Sequence, residues 1–284
     1  MKLQEVFEKS VQFFKDKKIE TARLDAELLI AHALKFERVQ IYVKYDQPLK
    51  EDEITACREL IRRRSQGEPV AYILGEKGFY GLRFEVGPGA LIPRPETEAI
   101  VELAIAFVQK NKMENPRILD LGAGTGCIGF SILKNIPNAT LVSLENSDRA
   151  FKYLQSNKSN HQLGDRANLI QHDINTFDFS VLEPFDLIVA NPPYIAENDP
   201  LVEVMVKKFE PTEALFAKND GLELTQKWSN QTKNILKSPG LMLFEIGHQQ
   251  GATLKSYFES LKVFSSVQII KDLSGLDRII KSIR

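Results

Sequence analysis

Asn191-Pro192-Pro193-Tyr194 is the stretch where residue type and spacing speak most directly to chemistry. An amide or aryl amine nitrogen is a poor nucleophile because its lone pair is delocalised. A site that accepts both of its N–H bonds holds the group and lets the lone pair localise as attack begins. The side-chain oxygen of Asn191 is one acceptor, and the backbone carbonyl of Pro192 can be the other, because Pro192 and Pro193 stiffen the loop and fix where that carbonyl points. Tyr194 offers a flat apolar face on which a planar amide or base can stack. Acceptors placed in advance of the transition state, with in-line approach to an electrophile, supply the catalysis. Neither a metal nor a covalent intermediate is required. The four histidines (His32, His161, His172, His248) have no metal-ligand spacing, so no metal site is expected. The competing reading is a proline-stiffened strand exit that only turns the chain.

Upstream, Asp120-Leu121-Gly122-Ala123-Gly124-Thr125-Gly126 ends a strand and opens a helix. Glycines at alternate positions let the backbone turn tightly and let a ligand approach closely, and the helix start offers free N–H groups. A nucleotide-like ligand is expected, and two frames compete for it. Gly124-Thr125-Gly126-Cys127-Ile128-Gly129 fits the dinucleotide fingerprint G-x-G-x-x-G, whereas D-L-G-x-G-x-G looks like the S-adenosylmethionine motif of class I methyltransferases. Both want an acid at the end of the next strand for the ribose hydroxyls, and Glu145 stands 19 positions past Gly126. Asp173, after the third strand, either accepts from an adenine amine or caps the next turn. Cys127 reads as a small packing residue.

The elements that must position these residues come in two styles. Residues 1–75 read as helices: Leu3, Val6, Phe7, Val11 and Phe14 share one face, Thr21 can N-cap a second helix with Leu24, Leu28, Leu29 and Leu34 inward, and Ile54, Cys57, Leu60 and Ile61 mark a third that Gly67 stops. Residues 76–92 are aromatic and glycine-punctuated, a β-hairpin hinge. A helix over 96–110 follows Pro95. From Arg117 strands and helices alternate: strands at 118–121, 140–144, 168–171, 186–190, 241–246, 263–269 and 277–283, with helices at 127–135, 147–159, 223–236 and 249–261. This pattern predicts an α/β fold, a doubly wound, mostly parallel sheet of seven strands with helices on both faces, over residues 93–284. Ligands then bind at the carboxyl strand ends, where both motifs fall.

The 284 residues carry 37 Lys+Arg against 38 Asp+Glu, a formal charge of −1, and neither residues 1–80 nor 81–284 form a charged tail. Near-neutrality argues against a protein that lives on phosphate attraction, so no stable nucleic acid binding is expected. Arg62-Arg63-Arg64 reads as a patch for an acidic partner or as a solvated helix face. Two cysteines make no disulfide framework, no apolar run is long enough for a membrane span, and the first residues do not form a secretory signal, so a reducing cytoplasm is the expected setting.

Throughout its length the chain resembles the peptide chain release factor glutamine N5-methyltransferases, the PrmC/HemK family. The resemblance rests on Gly67-Glu68-Pro69-Val70-Ala71-Tyr72-Ile73-Leu74-Gly75, Leu91-Ile92-Pro93-Arg94-Pro95-Glu96-Thr97-Glu98, the D-L-G-x-G-x-G loop, Asn191 to Ile195, Phe209-Glu210-Pro211-Thr212-Glu213-Ala214-Leu215 and Glu245-Ile246-Gly247-His248-Gln249-Gln250-Gly251. N-P-P-Y alone is shared with adenine-N6 and guanine-N2 methyltransferases, the alternative reading; P-R-P-E-T behind a small helical domain discriminates. The resemblance implies S-adenosylmethionine as methyl donor, S-adenosylhomocysteine as product, and the glutamine of the Gly-Gly-Gln loop of class 1 release factors as substrate. It implies that Gly122, Ala123, Gly124, Thr125 and Gly126 hold the methionine moiety, Glu145 the ribose, Asp173 and Ile174 the adenine, Asn191 to Tyr194 the glutamine, and that the helical domain docks the release factor. Arg94, Glu96 and Thr97 are expected near the cofactor pocket. Glu145 stands where Asp is common, and Ile174 where the family often has an aromatic, which implies modestly weaker cofactor affinity. A nicotinamide-dependent oxidoreductase would leave N-P-P-Y without a role.

Overall fold

The computed structural model describes residues 1–197 and 204–284 and divides into two compact units, Met1–Glu76 and Lys77–Arg284. The first holds helices α1 (Leu3–Asp16), α2 (Ala22–Ala33), α3 (Gln40–Val43), α4 (Glu51–Ser65) and α5 (Val70–Leu74). Its core gathers Leu3, Phe7 and Phe14 of α1 with Ala26, Leu29 and Ile30 of α2 and Ile54, Cys57 and Ile61 of α4. Helical periodicity on α1 and α4 puts those side chains on single faces.

Helix α2 departs from its predicted face. Leu24 is exposed, and the Thr21 side chain makes no capping bond; the Thr21 carbonyl instead accepts from Asp25 N–H. The cause is Asp25, which is buried and accepts from Arg64 Nε at 2.7 Å. A buried carboxylate must face its partner, and that rotates Ala22, Ala26, Leu29 and Ile30 inward. The same pair answers the question of the arginine run. Arg62 is held by Glu59, Arg63 by Glu68 and Arg64 by Asp25, so each positive charge has a carboxylate beside it.

The hairpin is β1 (Glu76–Phe79) and β2 (Leu82–Glu85). There follow α6 (Glu98–Lys110), β3 (Arg117–Leu121), α7 (Cys127–Asn135), β4 (Thr140–Glu145), α8 (Asp148–Asn160), β5 (Ala167–Gln171), β6 (Phe185–Ala190), β7 (Ile195–Ala196), α9 (Val204–Phe209), β8 (Phe216–Ala217), α10 (Glu223–Thr232), β9 (Leu236–Glu245), α11 (Gly251–Ser260), β10 (Ser266–Lys271) and β11 (Asp277–Ile283). The central sheet has seven strands in the order β5-β4-β3-β6-β9-β11-β10, parallel from β5 to β9, with β11 and β10 antiparallel. Alternation along each strand assigns its residues to opposite faces. Ile118, Leu187 and Val189 pack in one core with Leu141 and Leu241; Leu119, Ile188 and Ala190 pack in the other with Leu144 and Met242.

Strand order reverses at β3, which has β4 on one side and β6 on the other. The crevice beyond those strand ends is where such sheets bind ligands. Several element ends differ from the sequence reading: β10 begins at Ser266 and ends at Lys271, later than the expected 263–269, and the largest shifts fall between α10 and β9. Helix α10 stops at Thr232 and passes into a 3-10 turn over Lys233–Ile235, and β9 starts at Leu236. Ser238-Pro239-Gly240 has the composition of a turn, but the sheet absorbs it as an irregularity in the β6–β9 register between Phe185 and Leu187. Among the described residues no helix is long and apolar enough to cross a membrane.

Candidate active site

A cavity of about 370 Å³ sits beyond the carboxyl ends of β3, β4 and β6, within the size range of small-molecule sites. Gly122, Ala123, Gly124 and Thr125 line it from the loop after β3, Glu145 from the end of β4, Asp173 and Ile174 from the loop after β5, and Asn191 and Pro193 from the loop after β6. Four strand ends thus bring together residues spread over some seventy positions. Gly126 is not in the lining. Its φ of +82° suits glycine, and a Cβ there would lie 2.4 Å from the Phe130 ring, so it shapes the turn from behind. Gly129 closes the helix onto the strand: a Cβ would lie 2.8 Å from Asp120 Oδ2 and from Leu141. The last glycine of the G-x-G-x-x-G frame is therefore accounted for by helix–strand packing.

Two buried carboxylates brace this loop. Asp120 accepts from Gly129 N–H at 3.1 Å, and burial pushes its carboxyl up to about 7. Glu145 accepts from Gly124 N–H and from Ser147 N–H, both at 2.8 Å. Burial also raises Glu145, against those bonds, which favour the charged form. The longer glutamate arm thus ties the glycine loop to the start of α8 while facing the cavity. Asp173 accepts from Asn175 N–H at 2.8 Å, so it caps its turn and lines the cavity at once. Ile174 is buried against the cavity wall. Leu224 and Trp228 of α10 complete that wall, and a Cβ on Gly122 would lie 3.2 Å from the Trp228 ring. The sequence signal for Trp228 was slight: a single tryptophan at a helical position.

The N-P-P-Y loop is clasped by the other distinctive segments. Asn191 Nδ2 donates to Thr97 Oγ1 at 3.3 Å, the Thr97 hydroxyl donates to Glu245 Oε2 at 2.6 Å, and the Tyr194 hydroxyl donates to Glu245 Oε1 at 3.1 Å. Glu245 is 1% exposed, and burial raises its carboxyl. Gln250 Nε2 donates to the Tyr194 carbonyl at 2.8 Å. Arg94 pairs with Glu210, which also accepts from Ile92 N–H at 3.1 Å. Arg94 and Thr97 line the cavity; Glu96, Pro192 and Tyr194 are not among the lining residues. For Tyr194 the reason is Glu245: the phenol turns to that buried acid, and burial first, then the acid's charge, raise its pKa. Glu245, Gln250 and Glu210 had no assigned role in the sequence reading. Cys127 lines the cavity as a thiol that burial pushes up to about 12. Among the described residues no group of three or more His, Cys, Asp or Glu could hold a metal ion.

The donor set fits an adenosyl sulfonium: carboxylates at Glu145 and Asp173 for hydroxyl or amine donors, Ile174, Leu224 and Trp228 for an apolar ring, and the glycine loop for close approach. Comparison with known proteins agrees at the level of family. A PrmC N-terminal domain model matches residues 5–75 and a methyltransferase small domain model residues 101–238. The release factor glutamine methyltransferase of Geobacter sulfurreducens is 37% identical over 94% of this chain and 92% of its own, and that of Chlorobaculum tepidum 36% identical over 96% and 94%. Among solved structures, the hMettl16 catalytic domain in complex with the MAT2A 3'UTR hairpin 6 covers 82% of this chain and 81% of its own, with a TM-score of 0.55 at 16% identity, a likeness of fold alone. By identity and coverage, the chain belongs to the release factor glutamine methyltransferases.

Proposed function

We propose that the chain transfers a methyl group from S-adenosylmethionine to the side-chain amide nitrogen (N5) of the glutamine in the Gly-Gly-Gln motif of class 1 release factors. The observation that carries this reading is one cavity lined at once by Gly122 to Thr125, by Glu145 and by Asn191. When bound, S-adenosylmethionine supplies a methyl group on a positively charged sulfur. Gly122, Ala123, Gly124 and Thr125 admit the methionine end, Glu145 accepts from the ribose hydroxyls, and Asp173 and Ile174 meet the adenine. Asn191 Oδ1 and the Pro192 carbonyl accept the two N–H bonds of the glutamine amide. That weakens the delocalisation of its lone pair and orients it in line with the methyl group. Tyr194 contributes by fixing the loop through Glu245 and Gln250.

The helical unit is proposed to dock the release factor. Its arginine run is matched by Glu59, Glu68 and Asp25, and the net charge of the chain is −1. Both features suit a protein partner better than a polyanion. The direct test is mass spectrometry of a class 1 release factor after incubation with the chain and S-adenosylmethionine. One added methyl group on the glutamine is expected. Label on DNA with none on the release factor would instead support amine methylation of nucleic acid.

A further inference from the structure

An asparagine side chain can face a substrate with its oxygen or its NH2, and only the oxygen accepts an N–H bond. Something in the protein must choose. At Asn191 the choice is made two bonds away. The Thr97 hydroxyl has one proton and gives it to Glu245 Oε2 at 2.6 Å. A hydroxyl that has spent its proton can only accept from its remaining neighbour. That neighbour is the Asn191 amide at 3.3 Å, so its Nδ2 turns to Thr97. Oδ1 is then the end left for a ligand. The opposite amide orientation would set two acceptor oxygens face to face.

Glu245 secures the direction of this chain. It is an acceptor at both oxygens, with the Tyr194 hydroxyl on Oε1 and the Thr97 hydroxyl on Oε2. Burial raises its carboxyl, and the two hydroxyl donors and Arg278 act against that, favouring the charged form. We infer that Glu245, acting through Thr97, is a positioning residue for methyl transfer: it sets which end of the Asn191 carboxamide meets the reacting nitrogen. The inference rests on the glutamine-methylation reading above. It gives a role to Thr97 in the P-R-P-E-T stretch and to Glu245 in E-I-G, segments 148 residues apart.

The test is a double-mutant cycle with Glu245→Gln and Thr97→Val, read as kcat for release factor methylation and as S-adenosylhomocysteine affinity. Glutamine keeps the shape of Glu245, but its NH2 can donate to Thr97. That frees the threonine proton for Asn191 Oδ1 and reverses the amide. Each single variant should lose about ten- to a hundredfold in kcat, the scale of losing one preorganised polar contact, with cofactor affinity within about twofold of wild type. The double variant should be no slower than the worse single one, because both act through the same hydroxyl. Thr97→Ser keeps the hydroxyl and should retain most of the rate. Thr97→Val with more than half the wild-type kcat, or losses that multiply in the double variant, would overturn the inference. If Thr97→Val does not fold, Thr97→Ala removes the same hydroxyl and takes its place in the cycle. A wild-type chain that adds no methyl group overturns the methylation reading, and this inference with it; an active wild type with indifferent variants overturns the inference alone.

Discussion

On the proposed reading Asn191 serves the substrate and Glu145 the cofactor, so their variants should fail in different ways. Asn191→Ala removes the acceptor for the amide nitrogen but leaves Gly122 to Thr125 and Glu145 in place. Methyl incorporation should fall by at least about a hundredfold, while calorimetry shows S-adenosylhomocysteine binding within a few-fold of wild type. Near-full activity would remove the amide-acceptor mechanism. Glu145→Gln is the converse case. Both carboxylate oxygens take a backbone N–H, from Gly124 and Ser147, and glutamine must turn its own NH2 toward one of those donors. A mismatch of about 1–3 kcal/mol should weaken S-adenosylhomocysteine binding by about tenfold or more, in the same titration. Both residues were legible in the sequence because each follows a recognisable strand at a carboxyl end. Thr97 was expected near the pocket through the resemblance alone; its role, like those of Glu245 and Trp228, was not legible, because what defines them is a partner far along the chain: Glu245 for Thr97, Tyr194 for Glu245, the Gly122 backbone for Trp228. Local spacing carries no trace of such pairs. The Tyr194 hydroxyl likewise has a partner, Glu245, that local spacing does not announce.

At the scale of elements, the alternation of Ile118, Leu119, Leu187 and Ile188 between two cores is the pattern that made the strands readable. The glycine loop was readable because a tight strand–helix turn leaves little choice of residue. The ends of α10 and β9 were not, because Pro239 looks like a boundary and only the pairing of Leu236 in β9 with Phe185 in β6 shows otherwise. The face of α2 was lost to an ion pair with α4. The junction of β3 and α7 carries a pH dependence of its own. Asp120 lies under Gly129 with its carboxyl pushed up to about 7 by burial, above the value of an unfolded aspartate near 3.9. Between those values the folded chain holds a proton that the unfolded chain has lost. Its contribution to stability is therefore complete below about pH 4 and disappears as pH rises through about 7. Asp120 alone therefore predicts that stability falls from pH 5 to pH 8. Asp120→Asn cannot ionise and should flatten part of that fall. Denaturant titrations of both proteins at the two pH values measure it; an unchanged slope would mean that Asp120 is ionised throughout.

At the scale of the molecule, the two units own separate cores. Leu3, Phe14, Leu29 and Ile61 belong to one, and none of them packs in the two cores that flank the sheet. Every residue lining the cavity lies between Gly89 and Trp228, on the sheet unit alone. A chain of residues 76–284 should accordingly fold and bind S-adenosylhomocysteine with affinity within about twofold of the whole protein, since no lining residue is removed. Methylation of an intact release factor should suffer differently. If the helical unit docks the substrate, its loss removes binding made equally in ground and transition states, which raises KM and leaves kcat near its former value. An interface worth even 1.4 kcal/mol makes that a change of about tenfold. Salt separates the nature of the contact. With charge nearly balanced and Arg62, Arg63 and Arg64 each paired, KM of the whole chain should move by less than about threefold between 50 and 200 mM salt, where phosphate-binding proteins lose orders of magnitude. Steady-state kinetics of both chains at the two salt concentrations supply all four values. A truncated chain with unchanged KM would take the docking role from the helices. A steep salt dependence confined to the full chain would return it to them as a charged contact with arginines released from their carboxylates.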